Sequence, residues 1–325
     1  MPRAHTLAIL SDVHYASAAE QARGNDYELA GVTNPLLRIF LKVHHRFFWL
    51  HRQLYHNHLL DQFLERVPAA DRVIANGDFS CDTGFVGVSD DAACQSAQES
   101  LGKLRARFGA SFRATYGDHE LGKRALIGGR GGMRLASFHR AKNELGLEPF
   151  WQEELGRYVL IGVVSSLLAL PVYEPETLPE ELAAWKSLRA EHLAKICAAF
   201  AALKPAQRVI LFCHDPTALP ALGREPAVRE KFSQIEQTVI GHLHSDFIFR
   251  LSKLLAGMPT IKFLGGAGRR MSAALGEARH WQPFCVRLCP SLTGIELWKD
   301  GGFFTVELDE DARQPAKFCR HRIER

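Results

Sequence analysis

The sequence contains no pair of cysteines at the Cys-x-x-Cys spacing, and its cysteine count is odd. Seven cysteines are spread between positions 81 and 319 of the 325 residues. A disulfide framework uses an even number of cysteines, and structural zinc sites use closely spaced pairs. The pattern therefore argues against both and favours reduced, mostly buried thiols.

The sequence also lacks a long apolar run and a Gly/Ser-rich linker. The first apolar run, LAIL at 7–10, is too short for the core of a signal peptide or for a membrane span, so we expect a cytoplasmic protein. Hydrophobic residues make up 46% of the chain and charged residues 23%, which is typical of a globular protein with a large core. We predict a single domain over 1–325.

The chain carries little net charge. Forty Lys and Arg residues face 36 Asp and Glu residues, and the excess is not gathered into a polybasic tail. No basic stripe interleaved with aromatics marks a path for a nucleic-acid strand. We therefore expect no nucleic-acid partner, whereas the mild positive charge is compatible with an acidic substrate.

Short runs rich in Val, Ile and Leu alternate with longer helical patterns, which predicts a layered α/β or α+β fold. A helical insertion, or cap, is expected over 15–67, after the first strand. The C-terminal segment 284–310 holds CVRLC, GIELW and FFTVEL separated by turn residues, which predicts β-hairpin strands there. A further strand is predicted over 260–264.

Five predicted strands end in acidic or imidazole side chains. The segments that follow them are SDVH (11–14), NGD (76–78), GDHE (117–120), HD (214–215) and GHLH (241–244). Loops at the carboxyl ends of strands converge in open α/β sheets, so we expect these segments to meet. The spacing of two in DVH and HLH would turn both side chains of each pair to one side of an extended backbone.

Such a cluster requires cations, because carboxylates crowded into a dry cleft would otherwise protonate. Carboxylate and imidazole ligands without thiolate suit Mn, Fe, Zn, Co or Ni. Glycines 77, 117 and 241 directly precede candidate ligands, which is typical of tight turns and close backbone approach. The sequence therefore predicts a metal site at the strand ends.

The motifs DVH, GDF, GDHE, the histidine of CHD, and GHLH resemble in order and spread those of the calcineurin-like metallophosphoesterases. Those motifs read DxH, GD, GNH(E/D), H and GHxH, and the match covers about 7–246. The resemblance implies a two-metal site in a β-sandwich flanked by helices. It also implies roles for eight residues: Asp12, His14 and His244 on one metal, Asp78 bridging, Asp118, His214 and His242 on the second, and His119 off the metals.

In this family the residue matching His119 faces the scissile phosphate and stabilises or protonates the leaving oxygen. Glu120 and Asp82 are candidates for orienting its imidazole. Asp118 departs from the pattern, because the family usually has Asn there. The extra negative charge should bind the second metal more tightly and weaken its Lewis acidity.

The activity implied by the resemblance is hydrolysis of a phosphate ester or pyrophosphate by a hydroxide held between two metal ions. Two alternatives remain open: a lipid-linked sugar nucleotide pyrophosphohydrolase like UDP-diacylglucosamine hydrolase, and a non-catalytic metal-binding scaffold of the same fold. The expected partner is a phosphorylated small molecule or a lipid-linked substrate.

Two further segments carry predictions. The Gly-rich stretch after His119 holds Lys123, Arg124 and Arg130, which are candidates for binding the substrate phosphate. An exposed loop is the alternative there. The segment 36–50 is rich in aromatic and basic residues; it is either a cap helix packed on the domain or an interfacial helix in peripheral contact with a membrane.

Overall fold

The computed structural model describes residues 4–125, 129–261 and 265–325, without the side chains of 265–267. In these residues ten strands form two five-stranded sheets. The strands are β1 Ala4–Leu10, β2 Arg72–Asn76, β3 Phe112–Thr115, β4 Phe150–Leu155, β5 Tyr158–Val163, β6 Arg208–Cys213, β7 Ile235–Ile240, β8 Val286–Leu288, β9 Gly302–Asp309 and β10 Lys317–Arg322.

Helices connect most of these strands. Their bounds are α1 Ala18–Gln21, α2 Pro35–Phe47, α3 His58–Arg66, α4 Asp91–Phe108, α5 Asp118–Leu121, α6 Leu135–Asn143, α7 Ser165–Leu168, α8 Leu170–Tyr173, α9 Leu182–Ala201, α10 Leu219–Arg224, α11 Pro226–Arg229, α12 Asp246–Leu254 and α13 Gly265–Glu277. The first three helices lie between β1 and β2, where the sequence predicted a helical insertion.

Both sheets are mixed. The first has the order β10-β9-β1-β2-β3, in which β1, β2 and β3 run parallel and β9 pairs antiparallel with both β1 and β10. The second has the order β4-β5-β6-β7-β8, in which β5 to β8 run parallel and β4 is antiparallel to β5. The predicted layered α/β fold is confirmed.

Successive side chains of each strand pack on opposite faces of its sheet, which gives four layers: helices, sheet, sheet and helices. Leu7 and Ile9 of β1 belong to an apolar cluster shared with Ile210 and Phe212 of β6, so this cluster lies between the two sheets. The intervening residues of each strand join different clusters with the helices outside each sheet. Because successive side chains of a strand point to opposite faces, each sheet is apolar on both sides and needs helices to cover it.

The C-terminal strands pair differently from the predicted hairpin over 284–310. β8 is the edge of the second sheet, parallel to β7, whereas β9 lies between β1 and β10 in the first sheet. Turn residues favour a reversal of the chain, but they do not decide which sheet each strand joins. The hairpin of this region is β9–β10. The strand predicted over 260–264 falls partly outside the described residues, since 262–264 are not among them.

The topology brings the carboxyl ends of β1, β2, β3, β6 and β7 to one edge of the sandwich. Backbone hydrogen bonds join the segments beyond these strands: Asp12 N donates to Gly77 O at 3.1 Å and Gly241 N donates to His214 O at 2.9 Å. In the described parts of the chain, no helix is both long and apolar enough to cross a membrane.

A buried histidine of α9 gives the fold a pH dependence. His192 is 3% exposed, and its Nε2 accepts a hydrogen bond from Val164 N at 3.0 Å. Burial, together with Lys195, lowers the pKa of His192 to about 3. An unfolded histidine takes up a proton below about pH 6.5, so acidification favours the unfolded chain.

We expect the free energy of unfolding to fall as the pH drops below about 6.5, with a contribution from His192 of about 1.4 kcal/mol per pH unit. His192→Gln keeps an acceptor for Val164 N and does not titrate, so it should lose this contribution. Urea unfolding of metal-free parent and variant at pH values between about 3 and 6.5 measures how the free energy of unfolding of each depends on pH. Equal slopes for parent and variant would contradict the assignment.

Candidate metal centre

The structure brings the seven predicted ligands into two adjacent clusters. The ligand atoms within each cluster lie within 4.8 Å of one another. One cluster consists of Asp78, Asp118, His214 and His242, and the other of Asp12, His14 and His244. A third group of the same kind consists of His14, Asp78 and His119. Asp78 therefore lies between the cluster that contains His214 and the cluster that contains His14.

Three of the four residues in the cluster around His214 are buried, and the fourth, His242, is partly exposed. Asp78 is 1% exposed, Asp118 is 5% exposed and His214 is fully buried. His214 Nε2 lies 3.0 Å from Asp78 Oδ2 and 3.3 Å from Asp118 Oδ1. His242 Nδ1 lies 2.9 Å from the same Asp118 oxygen. Two carboxylates and two imidazoles therefore direct ligand atoms at one small volume.

The second cluster is built around Asp12, which is fully buried. His244 Nε2 lies 3.4 Å from Asp12 Oδ1 and 3.2 Å from His14 Nε2. Two imidazole nitrogens and a carboxylate oxygen at these distances form a set that can share one cation. The pair His242 and His244 is thus divided between the clusters, as the motif resemblance implies.

Five of the seven candidate ligands have a left-handed backbone. Their φ angles lie between 45° and 63°, and they are Asp12, His14, Asp78, His242 and His244. The premise that DVH and HLH are extended is therefore wrong. Left-handed backbone is costly for a residue with a side chain, and such residues concentrate at functional sites held in place by their surroundings.

Glycines allow the strand ends to approach closely. Gly77 has φ +88°, and a Cβ at this position would lie 2.6 Å from Gly117 Cα and 2.8 Å from His214 Nδ1. A Cβ at Gly241 would lie 2.8 Å from Asp12 Oδ2. Any larger residue would push the candidate ligands apart, which explains glycine before the ligands in these motifs.

Backbone contacts fix the orientation of the ligand side chains. His214 Nδ1 donates to Asn76 O at 2.6 Å, which leaves Nε2 facing the carboxylates. Asp12 Oδ1 accepts from His242 N at 2.9 Å, and Asp78 Oδ1 accepts from His119 N at 3.0 Å. Each carboxylate therefore keeps its second oxygen for another partner.

Glu120 joins two of the loops, a role that the sequence did not reveal. Its fully buried carboxylate accepts from Gly117 N at 2.7 Å, Phe79 N at 2.8 Å and Asp78 N at 3.0 Å. Burial, with the nearby Asp78, raises the pKa of Glu120 to about 7. Its place at the third position of α5, where capping acids occur, was the available signal.

Neither acid considered for His119 is hydrogen-bonded to its ring among the described contacts. Glu120 bonds the three backbone amides, and Asp82 Oδ1 accepts from Gly87 N at 2.9 Å. The His119 ring instead contacts Lys123, whose Nζ donates to His119 Nε2. Because an ammonium group can only donate, His119 Nε2 is an acceptor and the ring proton lies on Nδ1.

His119 is 5% exposed, and its Nε2 lies 3.8 Å from Asp78 Oδ2. Burial and the Lys123 ammonium lower the pKa of His119 to about 3. Burial opposes the charge on Lys123, but Asp118 and Asp78 outweigh it and raise the pKa of that ammonium. In the metal-free protein His119 is therefore neutral, and the positive charge of the His119–Lys123 pair is on Lys123.

The other two predicted phosphate-binding residues make different contacts. Arg130 Nη2 donates to Tyr27 O at 2.5 Å, and its guanidinium lies 5.3 Å from the Phe85 ring. Arg124 is exposed, and its Nε donates to Gly129 O at 3.0 Å. Arg130 thereby connects the Gly-rich stretch to the 15–67 insertion. Of the three residues, the structure brings Lys123 alone to the clusters.

The insertion forms one wall of a small cavity beside His14, His119 and His244. The cavity measures about 40 Å³, and its lining includes Trp49 and Leu50 from the insertion. The Trp49 ring centre lies 5.1 Å from that of His244. The sequence identified the insertion but not these wall residues, because no motif marks them.

The donor set fits two metal ions. Among the described residues, the buried atom Asp12 Oδ2 has no hydrogen-bond partner, and His214 Nε2 has none of good geometry although Asp78 Oδ2 lies 3.0 Å away. Burial lowers the pKa of His242, but Asp118 outweighs it and raises the pKa to about 9. Burial is likewise outweighed at His214, where Asp78 and Asp118 raise the pKa well above its usual value. Protonated imidazoles thus supply charge that a metal ion would supply.

No protein-family model matches the chain, and no curated protein matches it. Among solved structures, a dimetal phosphatase from Danio rerio is similar with 14% identity and a TM-score of 0.46, covering 100% of this chain and 98% of that one. Phosphopantetheinyl hydrolase from Mycobacterium tuberculosis has 16% identity and a TM-score of 0.38, covering 75% and 84%.

A purple acid phosphatase from yellow lupin (Lupinus luteus) seeds is similar with 11% identity and a TM-score of 0.38; the match covers 99% of this chain and 55% of that one. All three TM-scores lie below 0.5. The activity and the metal content of this chain are therefore judged from its own residues.

Glu120→Gln tests the loop connection. An amide has one acceptor oxygen instead of two, so at least one buried N–H should lose its partner, which costs about 1–3 kcal/mol. We expect the free energy of unfolding of metal-free protein to fall by that amount in urea titrations. Glu191→Gln, on an exposed position of α9, is the matched control and should unfold like the parent. Equal stability of all three proteins would refute the connection.

Metal binding should release protons. His214 and His242 must lose a proton before they bind a cation, so affinity for Mn²⁺ should fall as the pH is lowered below about 9. Calorimetric titration in two buffers of different ionisation enthalpy counts the protons released. His242→Ala should release fewer protons, whereas His139→Ala, at an exposed position, should match the parent. Binding without proton release would count against these ligands.

Proposed function

We propose that this protein is a metal-dependent phosphoesterase with a dinuclear centre. The observation that carries the proposal is the position of Asp78, which shares one ligand cluster with His214 and another with His14. A carboxylate between two sets of ligands is the arrangement by which two neighbouring ions share one bridging residue. Pairs of ions at such sites serve hydrolysis of phosphate esters.

The assignment of ligands follows the clusters. Asp12, His14 and His244 would hold one ion, Asp118, His214 and His242 would hold the other, and Asp78 would bridge. When bound, the ions would supply a nucleophile from water near neutral pH and neutralise charge on the phosphoryl oxygens. Mixed carboxylate and imidazole donors support Mn, Fe, Zn, Co or Ni as candidates.

The chain's own contribution is to position the substrate and to supply positive charge. Lys123 Nζ lies 4.0 Å from Asp118 Oδ2 and donates to His119 Nε2, so its ammonium lies beside the clusters. An anionic substrate is favoured there over a neutral one. His119 would face the leaving oxygen through Nε2, the nitrogen nearest the clusters, and the Lys123 ammonium that donates to Nε2 would compensate the charge that develops there.

Asp118 sets this site apart from the motif that it resembles. Its Oδ1 is shared by His214 and His242, while Lys123 approaches the other oxygen. The extra negative charge is thus offset within the protein by the Lys123 ammonium. Such an offset supports a functional centre over a non-catalytic scaffold, because Asp118 need not repel a substrate phosphate.

A lipid-linked sugar nucleotide pyrophosphate is a second candidate substrate. The supporting observation is the apolar wall that Trp49 and Leu50 place beside His14 and His244. The cavity of about 40 Å³ is too small for an acyl chain, so acyl contacts would have to lie on the partly exposed side of Trp49. Hydrolysis of an acylated sugar nucleotide, measured against its deacylated analogue, distinguishes the two.

Replacing the bridging or leaving-group residue should abolish turnover. We expect Asp78→Asn and His119→Ala to lower kcat/KM by at least about a hundredfold, since each removes charge placement needed in the transition state. The assay is hydrolysis of p-nitrophenyl phosphate and bis-p-nitrophenyl phosphate by metal-free protein resupplied with Mn, Fe, Zn, Co, Ni or Mg. His139→Ala is the matched control on an exposed histidine and should keep parental activity.

The preferred ester separates a monoesterase from a diesterase. Full activity in both purified variants would refute the mechanism. If the parent binds two ions but hydrolyses neither ester nor an acylated sugar nucleotide, the scaffold alternative would replace the enzyme.

A further inference from the structure

Helix α2 points its apolar side away from the protein. None of its residues is buried. Five apolar residues at helical spacing, each 51–77% exposed, form one stripe: Leu36, Ile39, Phe40, Val43 and Phe47. We call these five residues the α2 stripe. Surface helices normally turn such a stripe toward the core.

Polar contacts join α2 to the segment that precedes it. Lys42 Nζ lies 2.6 Å from Asp26 Oδ2, and His45 Nε2 lies 3.1 Å from Glu28 Oε2. His45 lies opposite the α2 stripe and Lys42 lies on its flank, because each residue advances about 100° around the axis. These contacts favour the outward orientation of the stripe, and nothing in the described part of the chain covers it.

The apolar surface continues from α2 onto α12. The Phe48 ring, just after α2, lies 6.2 Å from the Trp298 ring, and Phe247 of α12 lies 4.9 Å from the same ring. Phe247, Leu251 and Leu254 are 47%, 40% and 80% exposed and share one face of α12. The α2 stripe, Trp298 and these three residues together form what we call the α2–α12 surface.

The charge beside this surface is positive. The α2 sequence, PLLRIFLKVHHRF, contains no acid, and Arg46 flanks the stripe without an acidic partner among the described residues, whereas Lys42 and His45 contact Asp26 and Glu28. In α12, Arg250 and Lys253 accompany a single acid, Asp246, whose Oδ2 is paired with Arg320 Nη1 at 2.5 Å. Basic residues beside exposed apolar residues match a bilayer with anionic headgroups. Two copies of the surface would instead bring like charges together.

We propose that the α2–α12 surface binds an anionic lipid bilayer. The stripe enters the boundary between headgroups and acyl chains, and Arg46, near its edge, stays with the headgroups. The chain runs from α2 directly into Trp49, whose ring centre lies 5.1 Å from that of His244. Docking therefore places the metal clusters close to the membrane. The inference does not depend on the proposed function, because binding is measured without turnover.

The experiment is flotation of the full-length protein with vesicles of phosphatidylcholine, with and without phosphatidylglycerol. We expect binding to the anionic vesicles, weakened by salt. The double variant Phe40→Ser with Phe47→Ser should bind at least about tenfold more weakly, because it lacks two aromatic rings whose transfer from water into the bilayer favours binding. Tyr55→Ser is the matched control, since Tyr55 is 53% exposed and lies outside the surface.

Circular dichroism and thermal unfolding of all variants show that the fold is kept, since every altered residue is exposed. Equal binding of the parent and the double variant would overturn the proposal, as would equal binding to neutral and anionic vesicles. The same holds if vesicles are ignored and sedimentation shows a dimer that the double variant loses, because the occupant is then a second copy. A parent that stays monomeric and binds no vesicle also overturns it.

Discussion

The confinement of three carboxylates at one edge of the sandwich is the constraint on which the rest of the site depends. Asp12, Asp78 and Asp118 are each at most 5% exposed, so water does little to screen their mutual repulsion. Five imidazoles and one ammonium surround them. In the absence of metal ions, protonation of His214 and His242 balances part of the charge. Divalent ions would balance it more fully and allow both imidazoles to be neutral.

Holding these charges together determines the backbone around them. The strand ends meet so closely that Gly77 and Gly241 leave no room for a side chain, and five ligands accept a left-handed φ. Such a geometry persists only if other contacts oppose its relaxation. Glu120 provides three of them, since its carboxylate bonds amides in the loops after both β2 and β3. Glu120, next to His119, thus has a structural role. The residue that contacts the His119 ring is Lys123.

Much of the site could be predicted from the sequence, because its parts are local. Each motif places its ligands at the end of one apolar run, and parallel strands gather such ends at one edge. Long-range choices could not be predicted in this way. The turn residues between β8 and β9 signal a reversal of the chain, yet the two strands belong to different sheets. The contacts of Arg130 with Tyr27 and of Glu120 with backbone amides also depend on packing between distant segments.

The orientation of α2 likewise could not be predicted from its local sequence. Its amphipathic pattern is readable from the sequence, but the pattern alone predicts a stripe turned inward. Asp26 and Glu28, which precede the helix, contact Lys42 and His45 on sides of α2 away from the stripe. Exposing five large apolar residues is unfavourable in water, and these surface ion pairs are too weak to offset it fully. A folded chain that keeps such an arrangement gains stability when the stripe leaves water. The contacts with Asp26 and Glu28 therefore favour this direction of the stripe, and burial of the stripe in the proposed bilayer would contribute the larger free energy.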